Sequence, residues 1–261
     1  QGHYLLSLAC PPIARAARPG QFLHLRCATQ PSWQGGGPLL RRPFSLYDVD
    51  RRRGTCDLIY KVVGLGTEAL RAVAVGQRLD VLGPLGTSFT AGASMRSAML
   101  VGGGVGIPPI YFWAKTLVKS EGCRVQIEAF LGARTKDWMM CTGAFRRLGV
   151  PVHVATDDGT AGYRGSVVEL LRRTASDVSH RVPATCLYIC GPTPMMQAAA
   201  ALAARWRLPA QVSLEERMGC ALGVCMGCIV EIAGPHATAH TRYQRVCTEG
   251  PVFPADAVVW R

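Results

Sequence analysis

Three cysteines fall within the run Cys220-Ala221-Leu222-Gly223-Val224-Cys225-Met226-Gly227-Cys228, and a fourth, Cys247, follows after eighteen intervening residues. The pattern C-x4-C-x2-C…C is the plant-type ligand spacing for a 2Fe–2S cluster. Four thiolates must converge on one small object, so three come from a single tight loop and the fourth returns from elsewhere. Gly219, Gly223 and Gly227 suit such a loop, because glycine accepts positive φ and lets backbone amides approach cluster sulfurs. The competing readings are a structural zinc site or a disulfide pair. Zinc prefers C-x2-C knuckles in pairs, and here the second knuckle is missing. The spacing therefore predicts Cys220, Cys225, Cys228 and Cys247 as cluster ligands, and a chain holding such a cluster moves electrons.

A chain of 261 residues accommodates two domains plus a small appendage at the usual ~100–200 residues per domain. Half the residues are hydrophobic, enough to bury a proper core. No apolar run approaches the length of a membrane span and no charged-then-apolar leader opens the chain, so no membrane partner is expected. Eleven cysteines, an odd number with four in a cluster pattern, fit a reducing compartment better than a disulfide framework. The expected location is the cytoplasm. The net charge of +12 raises the possibility of nucleic acid. However, the positive charge is almost all arginine, the only lysines being Lys61, Lys115, Lys119 and Lys136. Apart from Arg41-Arg42 and Arg51-Arg52-Arg53 it is scattered, with no interleaved aromatic stripe, and nucleic acid is not expected as a partner.

The rhythm of the chain changes twice. From Tyr4 to about Thr90, short strand candidates (Tyr4–Ala9, Gln21–Cys27, Phe44–Val49, Cys56–Val63, Arg78–Leu82) alternate with Gly- and Pro-bearing turns, with one helix expected over Thr67–Ala74. This predicts an N-terminal antiparallel Greek-key β-barrel. From Met95 the order becomes strand, helix, strand, helix. Strands are expected at Ala98–Val101, Val125–Leu131, Val152–Thr156 and Leu187–Cys190, and helices at Pro108–Lys119, around Met140–Leu148 and at Pro194–Trp206. That alternation predicts an α/β doubly wound parallel-sheet nucleotide domain. Beyond Val212 the cysteine loop and two short strands, Cys228–Ile232 and Arg245–Cys247, make a small C-terminal 2Fe–2S domain. The expected division is 1–92, 93–211 and 212–261.

Several motifs suit phosphate-bearing cofactors. Arg42-Pro43-Phe44-Ser45 places a cation, a fixed turn, an aromatic plane and a hydroxyl on one barrel strand, which suits a flavin, although an ordinary Arg-Pro turn looks the same. Ile59-Tyr60-Lys61 precedes Gly64-Leu65-Gly66-Thr67. These glycines and a capping threonine at a helix start could form an anion site or simply a capped helix. Gly102-Gly103-Gly104-Val105-Gly106 lies between a strand and a helix, as a phosphate-binding turn requires. It lacks the G-x-G-x-x-G fingerprint and stays open between turn and nucleotide site. Cys190-Gly191-Pro192-Thr193-Pro194 occupies another strand end. Ligands of open α/β sheets bind at the carboxyl ends of strands, so the two glycine turns would share one crevice. With no activating base nearby, Cys190 is expected to pack beside a nicotinamide ring. The histidines His3, His24, His153, His180, His236 and His240 show no metal spacing and are assigned to surface or core.

Taken together, these motifs resemble the ferredoxin-reductase superfamily. Ser213-Leu214-Glu215-Glu216-Arg217-Met218 before the cysteine loop, and Cys247-Thr248-Glu249-Gly250-Pro251-Val252-Phe253 closing it, narrow the resemblance to electron-transfer subunits of NAD-dependent (class 1B) dihydroorotate dehydrogenases, over essentially the full chain. The resemblance implies FAD held by Arg42, Pro43, Phe44, Ser45, Ile59, Tyr60, Lys61, Gly66 and Thr67. It implies NAD as substrate near Gly103, Gly104, Val105, Gly106, Cys190, Gly191 and Pro192, and the four cysteines as cluster ligands. It further implies an FMN-containing dihydroorotate dehydrogenase catalytic subunit as partner, two of each in a heterotetramer. Electrons would pass from that FMN through the cluster to FAD and leave as hydride to NAD+. No segment here resembles a β/α barrel for pyrimidine oxidation, and no residue is assigned a catalytic role.

The rival enzyme is an FAD and 2Fe–2S reductase subunit of a bifurcating NADH-dependent ferredoxin:NADP+ oxidoreductase or of a sulfhydrogenase. The rival of another class is a non-catalytic iron–sulfur redox sensor, which predicts no flavin absorbance. Arg134 and Lys136, after the second strand of the sheet domain, could meet a 2′-phosphate and leave NADP open. The Ser32–Pro38 loop has no assigned role, and the Cys228–Cys247 loop, with Pro235, His236 and His240, is expected to shape the partner surface.

Overall fold

The computed structural model describes residues 2–28, 38–120, 125–175, 184–234 and 242–260. The Ser32–Pro38 loop, apart from Pro38, lies outside these residues, as do His180, Pro235, His236 and His240.

Strands β1 (His3–Ala9), β2 (Phe22–Leu25), β3 (Arg42–Asp50), β4 (Thr55–Lys61) and β5 (Val81–Leu85) form one sheet in the order β1-β4-β3-β2-β5. Every pairing is antiparallel. Three consecutive strands with β1 returned beside β4 make the Greek-key order expected from the sequence. Period-two patterning drives it: along β4, Cys56, Leu58 and Tyr60 are buried while the residues between them are only half-buried. The arginine run closes the β3–β4 hairpin. Asp50 Oδ1 accepts the N–H groups of Arg52 and Arg53 at 2.9 and 3.0 Å, so Arg51-Arg52-Arg53 is a solvated turn.

Three local expectations shift. Helix α1 (Pro11–Ala16), started by its prolines with Ala14 buried, was not legible as a helix. The fifth strand begins at Val81 rather than Arg78, because Asp80 is occupied with Arg41, whose guanidinium bonds both its carboxylate and its carbonyl. Helix α2 (Leu65–Arg71) starts two residues earlier than expected. Thr67 therefore lies inside its first turn, and its Oγ1 accepts N–H bonds from Val63 and Gly64 at 2.9 and 3.2 Å.

The second sheet contains β6 (Ser97–Gly103), β7 (Gln126–Ala133), β8 (Val152–Thr156), β9 (Tyr163–Arg164), β10 (Thr185–Cys190), β11 (Ala210–Ser213) and β14 (Val252–Pro254). Its order is β14-β11-β10-β6-β7-β8-β9, parallel except for β14. Helices α3 (Ile107–Lys119), α4 (Thr142–Arg147), α5 (Val167–Thr174) and α6 (Thr193–Trp206) connect the strands. Strands β6 and β10 are buried along their whole length, as apolar runs covered on both faces must be. The strand order reverses between them, which opens a crevice at their carboxyl ends.

The cysteine segment is joined to this sheet. Strands β12 (Ile229–Glu231) and β13 (Tyr243–Arg245) pair with each other, and the chain then returns as β14 to pair antiparallel with β11. Ala221, Cys228, Val246 and Cys247 share one apolar core with Val212, Leu214 and Phe253. The two sheets are also held together. Phe112 of α3 is buried in the barrel core, Tyr47 stacks on Tyr111 at 4.9 Å, and Lys115 Nζ lies 2.5 Å from Asp48 Oδ1. Among the described residues no helix is long and apolar enough to cross a membrane.

Candidate functional site

A cleft of about 1010 Å³ runs between the two sheets and the approach to the cysteine loop. That is the upper end of the ~300–1,000 Å³ typical of small-molecule sites, room for a ligand as large as a dinucleotide. Its barrel wall holds all of Arg42, Pro43, Phe44, Ser45, Ile59, Tyr60, Lys61, Gly66 and Thr67. Strand pairing brings the first four to the cleft, since β3 lies beside both β2 and β4. The Arg42 guanidinium donates to the carbonyls of Leu40 and Arg41 at 2.8 and 3.1 Å. It rests against the first turn of α2, where a Cβ on Gly66 would stand 3.2 Å from Arg42 Nε. Two motifs separated by eighteen residues thus form one cationic corner. Tyr60 stacks on Tyr4 and meets Phe44 edge-on, each at 5.7 Å between ring centroids. Lys61 sets its ammonium 3.6 Å over the Trp138 ring, so this cation also ties the barrel to the nucleotide sheet.

The opposite wall comes from Val105 and Thr193, which follow β6 and β10. Those strands pair in register, Cys190 beside Gly102, so Gly103–Gly106 and Cys190–Pro192 lie together at the point where the strand order reverses. Their approach is close enough to require glycine: a Cβ at Gly106 would run into the Cys190 carbonyl. Burial first, and the Glu215 charge second, push the Cys190 thiol far up. It is a neutral packing group at neutral pH. Arg134 and Lys136 are exposed at the β7 end, with Arg134 5.7 Å from the Trp138 ring centroid.

The third wall is Leu214 to Gly219, the residues that enter the cysteine loop. Glu215 is reached by solvent through the cleft yet enclosed by protein elsewhere, and burial raises its pKa. No chemical signal in the sequence singled out this wall; Leu214 to Met218 appeared only as part of the resemblance, and Gly219 only as a glycine of the cysteine loop. Phe22 was likewise missed as a cleft residue, although its register partner Ser45 was not.

In the loop itself the thiols come together in two pairs. The Cys220 thiol is acted on most closely by that of Cys225, and the Cys247 thiol by that of Cys228. Cys220 Sγ also accepts the N–H groups of Leu222 and Cys225 at 3.4 Å each. These bonds, that of Cys225 largest, lower its pKa to about 6. Burial raises the Cys247 thiol to about 11. Among the described residues no three Cys, His, Asp or Glu side chains converge on a single-ion site. The two pairs bring together the four cysteines of the C-x4-C-x2-C…C spacing, three from the loop and Cys247 from beyond β13. The backbone departs from expectation in one respect. Positive φ falls at Ala221 (57°), Gly223 (79°) and Met226 (57°), not at Gly219 or Gly227. Those two glycines instead keep space beside Cys225 Sγ, 3.5 Å from where either Cβ would stand. Arg245 braces the loop, donating to the Gly223 carbonyl at 2.9 Å and to the Glu249 carboxylate.

Comparison with known proteins agrees with this geometry. The family described as the iron-sulfur cluster binding domain of dihydroorotate dehydrogenase B matches residues 215–259, and the oxidoreductase NAD-binding domain matches residues 100–201. The electron transfer subunit of dihydroorotate dehydrogenase B (NAD(+)) from Desulforamulus reducens is 39% identical over 98% of this chain and 92% of its own length. The Bacillus caldolyticus subunit is 39% identical with the same coverage. Among solved structures, a chain of NADH-dependent reduced ferredoxin-NADP oxidoreductase superposes with a TM-score of 0.80 at 28% identity, over 100% of this chain and 86% of its own. The cytochrome b5 reductase domain of Ulva prolifera nitrate reductase gives 0.63 at 18% identity, over 79% and 87%, and speaks for the fold alone. With a ferredoxin-reductase fold, a flavin-sized cleft, a nucleotide crevice and two cysteine pairs on one chain, this protein belongs to the family of electron transfer subunits of dihydroorotate dehydrogenase B (NAD(+)).

Proposed function

We propose that this chain receives electrons from a catalytic partner at the cysteine loop and delivers them, two at a time as hydride, to NAD+. The observation that carries the reading is the shared cleft. Gly219, next to Cys220, lines the same cavity as Ser45 of the barrel and Val105 of the nucleotide sheet. Bound there, FAD supplies conversion between one-electron arrival and two-electron departure, and the cluster supplies one-electron conduction.

The chain's own residues hold and orient. Arg42, against the first turn of α2, would meet the flavin pyrophosphate. Pro43, Phe44 and Ser45, with Ile59, Tyr60 and Lys61, would form the barrel wall of the flavin site, and Gly66 and Thr67 its corner. Gly103, Gly104, Val105 and Gly106, together with Cys190, Gly191 and Pro192, would receive NAD in the crevice. Cys190, neutral and buried, would present a small surface there without chemistry of its own. Cys220, Cys225, Cys228 and Cys247 would ligate a 2Fe–2S cluster. The working division remains 1–92 for flavin, 93–211 for nicotinamide and 212–261 for the cluster; the gap between β5, ending at Leu85, and β6, beginning at Ser97, supports its first boundary, while the second falls within β11 and β14 returns to the nucleotide sheet.

For the partner we infer an FMN-containing dihydroorotate dehydrogenase subunit, two of each chain in a heterotetramer. Leu222, Val224 and Met226 between the cysteines, and Ile229 and Tyr243 on the adjacent hairpin, are all exposed. An apolar patch of that kind is characteristic of an interaction surface. A reducing cytoplasm suits four thiolates that must stay reduced until the cluster is built.

The test is co-expression with an FMN-type dihydroorotate dehydrogenase. The expected product is a stable complex, with bound FAD and cluster absorbance, that reduces NAD+ with dihydroorotate. A flavin-loaded chain that oxidises NADH with an artificial acceptor yet forms no complex would favour the bifurcating relative's kind of assembly instead.

A further inference from the structure

Among the described residues, buried side-chain nitrogens without a hydrogen-bond partner occur at two positions, Trp113 and His24. Trp113 belongs to an aromatic cluster with Phe89 and Tyr188. His24 is different: its imidazole is fully buried, with 0% of its surface accessible, and neither ring nitrogen is bonded. A buried polar group left unsatisfied in a native fold calls for a functional account.

Its position supplies one. On β2, His24 is the register partner of Pro43 on β3 and of Leu82 on β5. Residues directly opposite in an antiparallel pair share a face. Pro43 lines the cleft, as does the next pair on that face, Phe22 with Ser45. The imidazole therefore lies on the cleft side of the barrel sheet. The carbonyls of Met218 and Arg41 stand close enough to favour a proton on the ring, without full bonding geometry. Met218, itself a cleft residue, precedes Cys220 by two positions. His24 is thus wedged between the flavin-facing strand and the segment entering the cysteine loop.

We propose that His24 is a redox-linked proton site, taking up one proton from solvent when an electron resides at the cysteine loop and releasing it when that electron moves on to the flavin. The balance is simple. One N–H bond forms at the unprotonated ring nitrogen and later breaks, water is both source and sink, and the electron is the one the partner subunit supplies. No side-chain atom is oxidised or reduced. The charged groups acting on the ring are Arg41, held by Asp80, and Arg42. Burial first and Arg41 second keep the imidazole below its ordinary range, hence neutral before the electron arrives. Negative charge added beyond Met218 opposes the effect of Arg41, and the nearby Met218 and Arg41 carbonyls favour the protonated ring. This places His24 as a positioning residue for charge, and it rests on the four cysteines being the cluster ligands.

The experiment is an EPR-monitored redox titration of the cluster in the complex, repeated between about pH 5 and 8, where an imidazole titrates. In the unaltered chain the midpoint potential is expected to fall as pH rises, approaching one proton per electron at its steepest. In His24→Gln, which keeps a polar group but cannot titrate, the expected profile is flat with cluster content unchanged. His24→Asn serves as a second variant should Gln not fold. A flat profile in the unaltered chain, or an equal slope in chain and variants, overturns the proposal. No cluster signal in the unaltered chain would overturn the ligand assignment itself, and the proposal with it.

Discussion

The flavin cleft and the cysteine loop are neighbours built on opposite principles. The cleft is walled by hydrogen-bonded strands whose register fixes which side chains face inward. The strands that form its barrel wall, β2, β3 and β4, hold no positive-φ residue. The loop carries three positive-φ residues between Cys220 and Cys228 and turns apolar side chains outward. It is held at its edges, by Arg245 and by buried Cys228 and Cys247. A preformed site binds without ordering the chain, whereas ligation of an unfinished one contributes folding energy. The lesson is that the two cofactors should be separable: losing the flavin should leave the loop able to build its cluster, and losing the cluster should leave the cleft intact.

The strongest way to break that comparison is Cys225→Ser. Loss of one of four thiolates should abolish the cluster absorbance while FAD stays bound, so that NADH oxidation with an artificial acceptor changes by less than ~3-fold and partner-driven NAD+ reduction falls by more than ~100-fold, the interruption of an electron path rather than of hydride chemistry. If FAD is lost as well, the two sites are not independent. The reciprocal variant is Arg42→Ala. Losing hydrogen bonds from a charged group costs about 1.5–3 kcal/mol, or ~10–100-fold in FAD affinity, measured by fluorescence titration with the cluster spectrum unchanged.

A smaller effect lies at the seam between the sheets. Lys115 and Asp48 are each about four-fifths buried and 2.5 Å apart, between an exposed pair worth little and a dry one whose disruption costs several kcal/mol. Lys115→Met should lower the stability of the chain by about 1–2 kcal/mol, read as a shift in the urea midpoint at constant slope. An unchanged midpoint would mean that the Tyr47–Tyr111 stack and Phe112 hold the seam without it.

How much of this was legible beforehand follows the same division. Period-two alternation and strand–helix alternation announced both sheets, because burial writes itself into residue spacing. The cleft's barrel wall was legible because it is one strand, one hairpin partner and one helix start. Its third wall was not, since Leu214–Gly219 has no periodicity and its role comes from where β11 ends. His24 read as an ordinary core histidine: nothing in Phe22-Leu23-His24-Leu25 tells that the ring would lie against Met218, nearly two hundred residues away. In the loop, the spacing suggested which thiols to expect as ligands but not the backbone. Glycine was the natural guess for positive φ, and the strain fell partly on Ala221 and Met226 instead.

That misplaced strain provides the finest test. A non-glycine residue in the left-handed region suffers a clash of roughly 1–2 kcal/mol that glycine avoids. At ordinary positions the preference runs the other way, alanine being favoured by roughly 1 kcal/mol over glycine in a helix interior. Met226, at φ 57° with about half its surface exposed, separates the two effects cleanly. Met226→Ala and Met226→Gly remove nearly the same side chain from the apolar patch, but only glycine relieves the backbone. The glycine variant should hold its cluster better than the alanine variant by about 1 kcal/mol, or ~5-fold in an equilibrium, measured as cluster retention against a competing chelator. A reversed order would mean that the loop relaxes out of the left-handed region once the cluster is bound, and that cluster ligation, rather than the chain, sets the conformation around Cys225.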